Sequence, residues 1–278
     1  MGKAINNTNT QEEKMKKSLF TCLSLLLLFT AKAQDLSLFA KQQYVSGADT
    51  LRYRILYPAA YRPEKSYPLI VFLHGSGERG SDNEIQLIHG GKLFVREDIR
   101  NSHAAIVVFP QCPKDSAWSR FKRGPKINEW IYDATLTSTT PALLVKKLMD
   151  SLIASGKADK KRVYIGGLSL GGMGTYDMLV RYPGYFAAAF PICGATDVNA
   201  FLAQAGPVPM WMFHGAEDAV VPPTFNRELY KGLMEKGART VKYTEYPGVN
   251  HNSWDNAFAE SNLLPWMMSK KKKKNPSW

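Results

Sequence analysis

Arg162-Val163-Tyr164-Ile165-Gly166-Gly167-Leu168-Ser169-Leu170-Gly171-Gly172 is the stretch that decides the fold. Its first four residues read as a short buried strand, and Gly171 to Tyr182 reads as a helix stopped at Pro183. Between them stands Gly167-Leu168-Ser169-Leu170-Gly171, a Gly-x-Ser-x-Gly run. In that position it predicts a sharp strand-to-helix turn, because a side chain at either glycine would clash in so tight a bend. Such a turn holds the serine hydroxyl clear of the sheet edge. It also sets the oxygen near a helix N-terminus, which favours developing negative charge.

Working outward, the chain alternates short apolar runs with longer amphipathic segments. Tyr44–Val45 and Leu51–Tyr57 read as an opening hairpin. Leu69–Leu73, Ala105–Phe109, Ala187–Ile192, Val208–Phe213 and Val241–Tyr246 are apolar runs, most of them ending at a glycine or proline. Runs apolar on both faces suit strands buried within a parallel sheet. Pro141–Ala154 places Leu144, Leu148 and Leu152 on one helical face and ends near Gly156. Thr224–Lys236 is a further helix, ending at Gly237. Strands alternating with helices imply a parallel sheet with right-handed crossovers. With no repeat or linker to divide it, residues 34–268 are expected to form one catalytic domain.

A serine hydroxyl is a weak nucleophile unless a base takes its proton. A turn of this type is followed by an acid and then a histidine. Of the five histidines, only His214 and His251 lie after Ser169. His214 directly ends an apolar run and reads as structural. His251 lies in the loop after the last strand, on the same sheet edge as Ser169, and is the expected general base. Asp218, after Val208–Phe213, is the expected acid, with Glu217 and Asp197 as alternates. For an oxyanion the expected donors are the backbone amides of Leu170 and Ser76, the second from His74-Gly75-Ser76-Gly77, with Gly75 the alternate.

These residues carry a resemblance. His74-Gly75-Ser76-Gly77-Glu78-Arg79-Gly80, Gly167–Thr175, His214-Gly215 with Asp218, Val221 and Pro222, and His251 with Trp254 are similar to motifs of the α/β-hydrolase superfamily. More narrowly, the chain resembles secreted esterases and predicted peptidases related to feruloyl and acetyl-xylan esterases and polyhydroxybutyrate depolymerases. The resemblance implies an α/β-hydrolase fold, a mostly parallel twisted sheet with helices on both faces. It implies Ser169, Asp218 and His251 as a triad, with no metal or organic cofactor. In that fold the strands ending at Cys112 and Cys193 are separated by those of His74 and Ser169. At about 4.8 Å per strand that gap is roughly 14 Å, too wide for a disulfide, so both thiols are expected free.

The first 33 residues read as an export signal with a short preceding stretch. Lys16 and Lys17 precede the apolar run Leu19–Phe29, and Ala31-Lys32-Ala33 supplies small residues for cleavage before Gln34. The run is short for a membrane span, so the protein is expected to be secreted or periplasmic without a stable membrane anchor. The net charge of +12 is concentrated at the ends: Lys270–Lys274 and the first 33 residues leave about +4 for the rest. No nucleic-acid module is recognisable, and residues 269–278 read as a solvated basic tail.

Only about thirteen residues separate Gly194 from Val208, too few for a large lid, so an open site is expected. Trp118 and Trp130, in the polar insertion between Pro110 and Pro141, are candidates for stacking on a sugar or phenolic ring. Trp254 and Glu78 are candidates for contacts beside the site. The expected activity is serine carboxylic-ester hydrolysis, acting on small esters or on acetyl or feruloyl substituents of plant polysaccharide. A peptidase of prolyl-oligopeptidase type and a non-catalytic binding protein on the same scaffold are the alternatives.

Overall fold

The computed structural model describes residues 35–124, 130–132 and 138–272. The strands in chain order are β1 (Ala40–Ser46), β2 (Asp49–Leu56), β3 (Tyr67–Leu73), β4 (Ile106–Gln111), β5 (Phe121–Arg123), β6 (Trp130–Tyr132), β7 (Ala158–Leu168), β8 (Ala188–Ile192), β9 (Met210–Gly215) and β10 (Val241–Tyr246). Eight of them form one sheet in the order β1-β2-β4-β3-β7-β8-β9-β10. The β1–β2 hairpin and the β2–β4 pair are antiparallel; every pairing from β4 through β10 is parallel. β5 and β6 form a separate antiparallel pair.

The helices are α1 (Gly91–Val95), α2 (Glu97–Ser102), α3 (Thr140–Ala154), α4 (Leu170–Arg181), α5 (Val198–Gln204), α6 (Thr224–Glu235), α7 (Trp254–Ala259) and α8 (Leu263–Met268). The continuous apolar runs are explained by two cores. Leu69, Val71 and Leu73 of β3 pack on one face with Leu148 of α3, Tyr176 of α4 and Leu229 of α6. Ile70 and Phe72, pointing the other way, pack with Phe94 of α1, Ala257 of α7 and Met267 of α8. Period-two alternation therefore buries both faces, as a helix-covered parallel sheet requires. Among the described residues no helix is long and apolar enough to cross a membrane.

Helix α3 starts where Thr139 accepts from the Ala142 amide through its hydroxyl, and it ends before Gly156, whose φ is +75°. Cys112 and Cys193 are buried, unbridged thiols, and β3 and β7 lie between their strands. Two readings of the sequence need correction. Strand β7 begins at the buried Ala158, four residues before Arg162, and passes through the exposed Lys160 and Lys161. The lysine tail is tied down at its start: Tyr164 donates to the Lys270 carbonyl at 2.7 Å and the Lys272 amide donates to the Lys161 carbonyl at 2.9 Å. The expected signal, residues 1–33, and the end of the tail, residues 273–278, lie outside the described residues.

Candidate active site

Every parallel strand runs toward the same sheet edge, and the loops leaving that edge gather the chemistry. Ser169 sits between β7 and α4 at φ +53°, ψ −115°. The glycines around it are dictated by contact. A Cβ on Gly171 would stand 1.9 Å from the Leu73 carbonyl oxygen, and one on Gly167 would stand 2.3 Å from the Gly171 oxygen. The Ser169 amide donates to the Ile192 carbonyl at 2.9 Å, fixing the turn to β8.

His251 follows β10 in the expected loop, and its Nε2 lies 2.9 Å from Ser169 Oγ. Its Nδ1 lies 2.7 Å from Asp218 Oδ2. A carboxylate only accepts, so Nδ1 carries the proton and Nε2 is left to accept from the serine. The other carboxylate oxygen of Asp218 accepts from the amides of Val220 and Val221, both at 2.8 Å. Burial opposes ionisation of Asp218, but hydrogen bonds from His214, His251 and the Val221 amide outweigh it. The carboxyl is held well below its ordinary range.

Behind the acid lies a chain that sequence reading missed. His214 Nε2 is 2.9 Å from the Val221 carbonyl, which fixes its proton there, and 3.2 Å from Asp218 Oδ2. Its Nδ1 accepts from Asn226 Nδ2 at 2.9 Å, and Asn226 Oδ1 accepts from the Tyr176 hydroxyl at 2.8 Å. Tyr176, His214 and Asn226 are fully buried. The one available signal was a polar residue, Asn226, on the face of α6 that also carries Leu229 and Leu233. Asn250 supports the histidine loop, accepting from the amides of Ala219 at 3.1 Å and His251 at 2.8 Å. Of the alternates for the acid, Asp197 caps α5 by accepting from Ala200 at 2.7 Å.

Ser76 opens a one-turn 3-10 helix after Gly75, and Leu170 opens α4. Neither amide donates to an acceptor among the described residues. The loop of Ser76 is rooted from below. His74 donates from Nδ1 to the Gly75 carbonyl at 2.6 Å, and its Nε2 accepts from the Cys112 amide at 2.9 Å. Burial lowers the His74 pKa to about 4, so the ring is neutral near pH 7. Arg79 clamps the loop from outside, donating to the carbonyls of Ser76 at 3.1 Å and Ser116 at 3.2 Å.

The candidate substrate contacts fare differently. Trp118 is 0% exposed, so it is a core residue and no stacking platform. Its indole donates to the His74 carbonyl at 3.1 Å, and its Cβ fills the space beside Gly174. The backbone of Trp130 lies in β6, and its side chain lies outside the described residues. Trp254 is half-buried, edge-on to His251 at 5.6 Å and 4.9 Å from the His89 ring. It lines a surface cavity of about 220 Å³ with Ile88, His89, Leu93 and Phe258. Glu78 is mostly buried beside Gly75, with Oε1 3.6 Å from His89 Nε2 and Oε2 enclosed without a hydrogen-bond partner.

Cys193, Asp218 and His251 also bring possible metal-ligating atoms within 4.8 Å of one another. Complete burial pushes the Cys193 thiol far above its ordinary pKa. Asp218 and His251 are already bonded to each other, and His251 is bonded to Ser169.

Residues 60–262 match the family model described as phospholipase/carboxylesterase. The chain belongs to this family. It is similar to the poly(3-hydroxyalkanoate) depolymerase C of Paucimonas lemoignei, 23% identical over 90% of this chain and 61% of that protein. It is similar to the bifunctional acetylxylan esterase/xylanase of Neocallimastix patriciarum, 28% identical over 55% of this chain and 20% of that one. The solved structure of a thermostable esterase superposes with a TM-score of 0.75 at 33% identity, covering 85% of this chain and 64% of that one. The chain thus spans less than two thirds of each of these relatives. The α/β-hydrolase fold expected from the sequence is the fold found, and a hydrolase of the esterase group is what family membership supports.

Proposed function

We propose that this carboxylesterase-family chain is a serine carboxylic-ester hydrolase that works through an acyl-enzyme on Ser169. Ser169 Oγ attacks the ester carbonyl carbon as its proton passes to His251 Nε2. Asp218 keeps the proton of Nδ1 in place and stabilises the imidazolium that forms. The oxyanion accepts from the amides of Ser76 and Leu170, two donors aimed by rigid turns rather than recruited during reaction. Collapse breaks the bond to the alcohol oxygen, which leaves with the proton from His251. Water then repeats the sequence on the acyl-enzyme, releasing the acid and restoring Ser169.

The observation that carries this reading is the unbroken relay of 2.9 Å and 2.7 Å contacts from Ser169 through His251 to Asp218. For substrate we propose acetyl or feruloyl esters on plant polysaccharide, hydrolysed outside the cell after export through residues 15–33. The reading rests on the similarity to the acetylxylan esterase and on the short β8–β9 connection, where α5 is only seven residues long. Trp254, beside His251, is the proposed contact for the sugar or the acyl group, and Glu78 supports the oxyanion loop.

Hydrolysis of p-nitrophenyl acetate by the wild type and by Ser169→Ala tests the chemistry; equal rates would remove it. A panel of acetyl-xylan, feruloyl and aminoacyl substrates tests the class, and preference for the aminoacyl amides would overturn the ester assignment.

A further inference from the structure

One sizeable cavity lies away from the catalytic edge. It has a volume of about 340 Å³ and is lined by Phe186, Val208, Pro209, Lys270, Lys271 and Lys272, among others. Its floor comes from residues that immediately precede β8, β9 and β10, whereas Asp218 and His251 follow the far ends of β9 and β10. Six residues of strand separate the two edges by about 20 Å. A small ligand held in the cavity therefore lies out of reach of Ser169.

Its rim is cationic and its local acids are already engaged. Asp159 binds Arg162 at 2.7 Å, and Asp150 accepts from Lys146 at 2.5 Å and from the Tyr185 hydroxyl at 2.8 Å. Lys146 and Lys272 share the Tyr185 ring, at 4.4 and 5.3 Å from its centroid. Lys242 and Lys270 likewise approach Trp266, at 5.9 and 5.8 Å. Lys146 is paired with Asp150, whereas the aromatic faces hold Lys242, Lys270 and Lys272 without neutralising them. Burial, with Lys160 and Lys146 nearby, lowers the Lys272 pKa. The backbone bonds at Lys270 and Lys272 hold this concentration of charge over an apolar floor, an arrangement that an anion stabilises.

We propose that this cavity binds an organic anion with an apolar body, an aromatic or medium-chain carboxylate, at a site independent of Ser169. The apolar floor takes the body and the Lys270–Lys272 rim takes the carboxylate. The volume suits a ligand of modest size.

Calorimetric titration of the full chain with 4-phenylbutyrate, its neutral amide and polygalacturonate tests this. Two variants locate the site. One is the triple variant Lys270→Ser, Lys271→Ser, Lys272→Ser, which keeps the backbone bonds; the other is Thr240→Trp, which fills the cavity from its exposed rim. The expected result is saturable 4-phenylbutyrate binding, at least about tenfold tighter than the amide and weakened about tenfold in both variants, with p-nitrophenyl acetate hydrolysis unchanged. Equal affinity for acid and amide would overturn the proposal. So would carboxylate binding unaffected by both variants, or binding of polygalacturonate alone, which would mark a polyanion surface in place of a cavity for small acids.

Discussion

The imidazole of His214 lies 3.2 Å from the Asp218 carboxylate, and neither side chain is reached by solvent. Asp218 thus faces two histidines, one turned toward Ser169 and one rooted in the core through Asn226 and Tyr176. In the proposed mechanism the second keeps the acid aimed without taking part in proton transfer. Asn226→Leu leaves His214 Nδ1 buried without a donor, a loss on the order of 1–3 kcal/mol. The variant is expected to melt lower and to lose about tenfold in kcat, with KM little changed. Steady-state kinetics with thermal melts check this; a stability loss without a kcat loss would show that the network serves folding alone.

His74 gives the protein a defined acid sensitivity. Its folded pKa of about 4 lies below the ordinary 6.5, so between these values the unfolded chain binds the extra proton. Stability from this group is present above about pH 6.5 and is lost as pH falls toward 4, by roughly 3 kcal/mol in all. Asp218 adds a loss at lower pH: its depressed pKa contributes stability in full above the ordinary carboxylate value, and this is lost progressively as pH falls below that value. Urea unfolding at pH 7.5, 5.5 and 4.5 is expected to show stability falling with pH, and His74→Gln to flatten that fall. An unchanged slope in the variant would place the sensitivity elsewhere.

The two tryptophans separate packing from binding. Trp118→Ala empties a fully enclosed site and is expected to destabilise the fold by roughly 3–5 kcal/mol, whereas Trp254→Ala should melt close to the wild type. In kinetics the order reverses: Trp254→Ala raises KM for the preferred ester several-fold, and the milder Trp118→Phe leaves KM unchanged. Chemical denaturation and initial rates on the same preparations read both effects.

Arg79 holds the loop of Ser76 to that of Ser116 through two carbonyls. Its removal is expected to loosen the Ser76 amide, the proposed oxyanion donor, which as backbone cannot itself be mutated. Arg79→Ala is expected to lower kcat by about ten- to a hundredfold, below the effect of deleting an oxyanion donor outright. KM should hold and Tm should fall slightly. Rescue of kcat by Arg79→Lys would show that one contact suffices; an Arg79→Ala enzyme of normal kcat would detach the clamp from catalysis.

The parts of this molecule legible in the sequence are those with a strong local cause. Leu69–Leu73 and Ala187–Ile192 read as strands because both of their faces are covered. Ser169 stands out because its glycines meet backbone carbonyls at distances no side chain allows. His251 and Asp218 follow from strand order, since parallel strands deliver their loops to one edge. What stayed hidden depends on distant partners. Asn226 meets His214 from a helix twelve residues on, and Trp118 is buried by His74 and Gly174, each more than forty residues away. Helices α7 and α8, at six residues each, are too short to display a helical period. Lys270 and Lys272 read as solvated because nothing local shows that Tyr164 and Lys161 hold them.

The most direct test is to treat the wild type and His251→Ala with a fluorophosphonate and map the modified peptide by mass spectrometry. A single stoichiometric adduct on Ser169 is expected in the wild type, with labelling slowed by orders of magnitude when His251 is removed. An adduct on another residue, or labelling of Ser169 at the same rate without His251, would contradict this expectation.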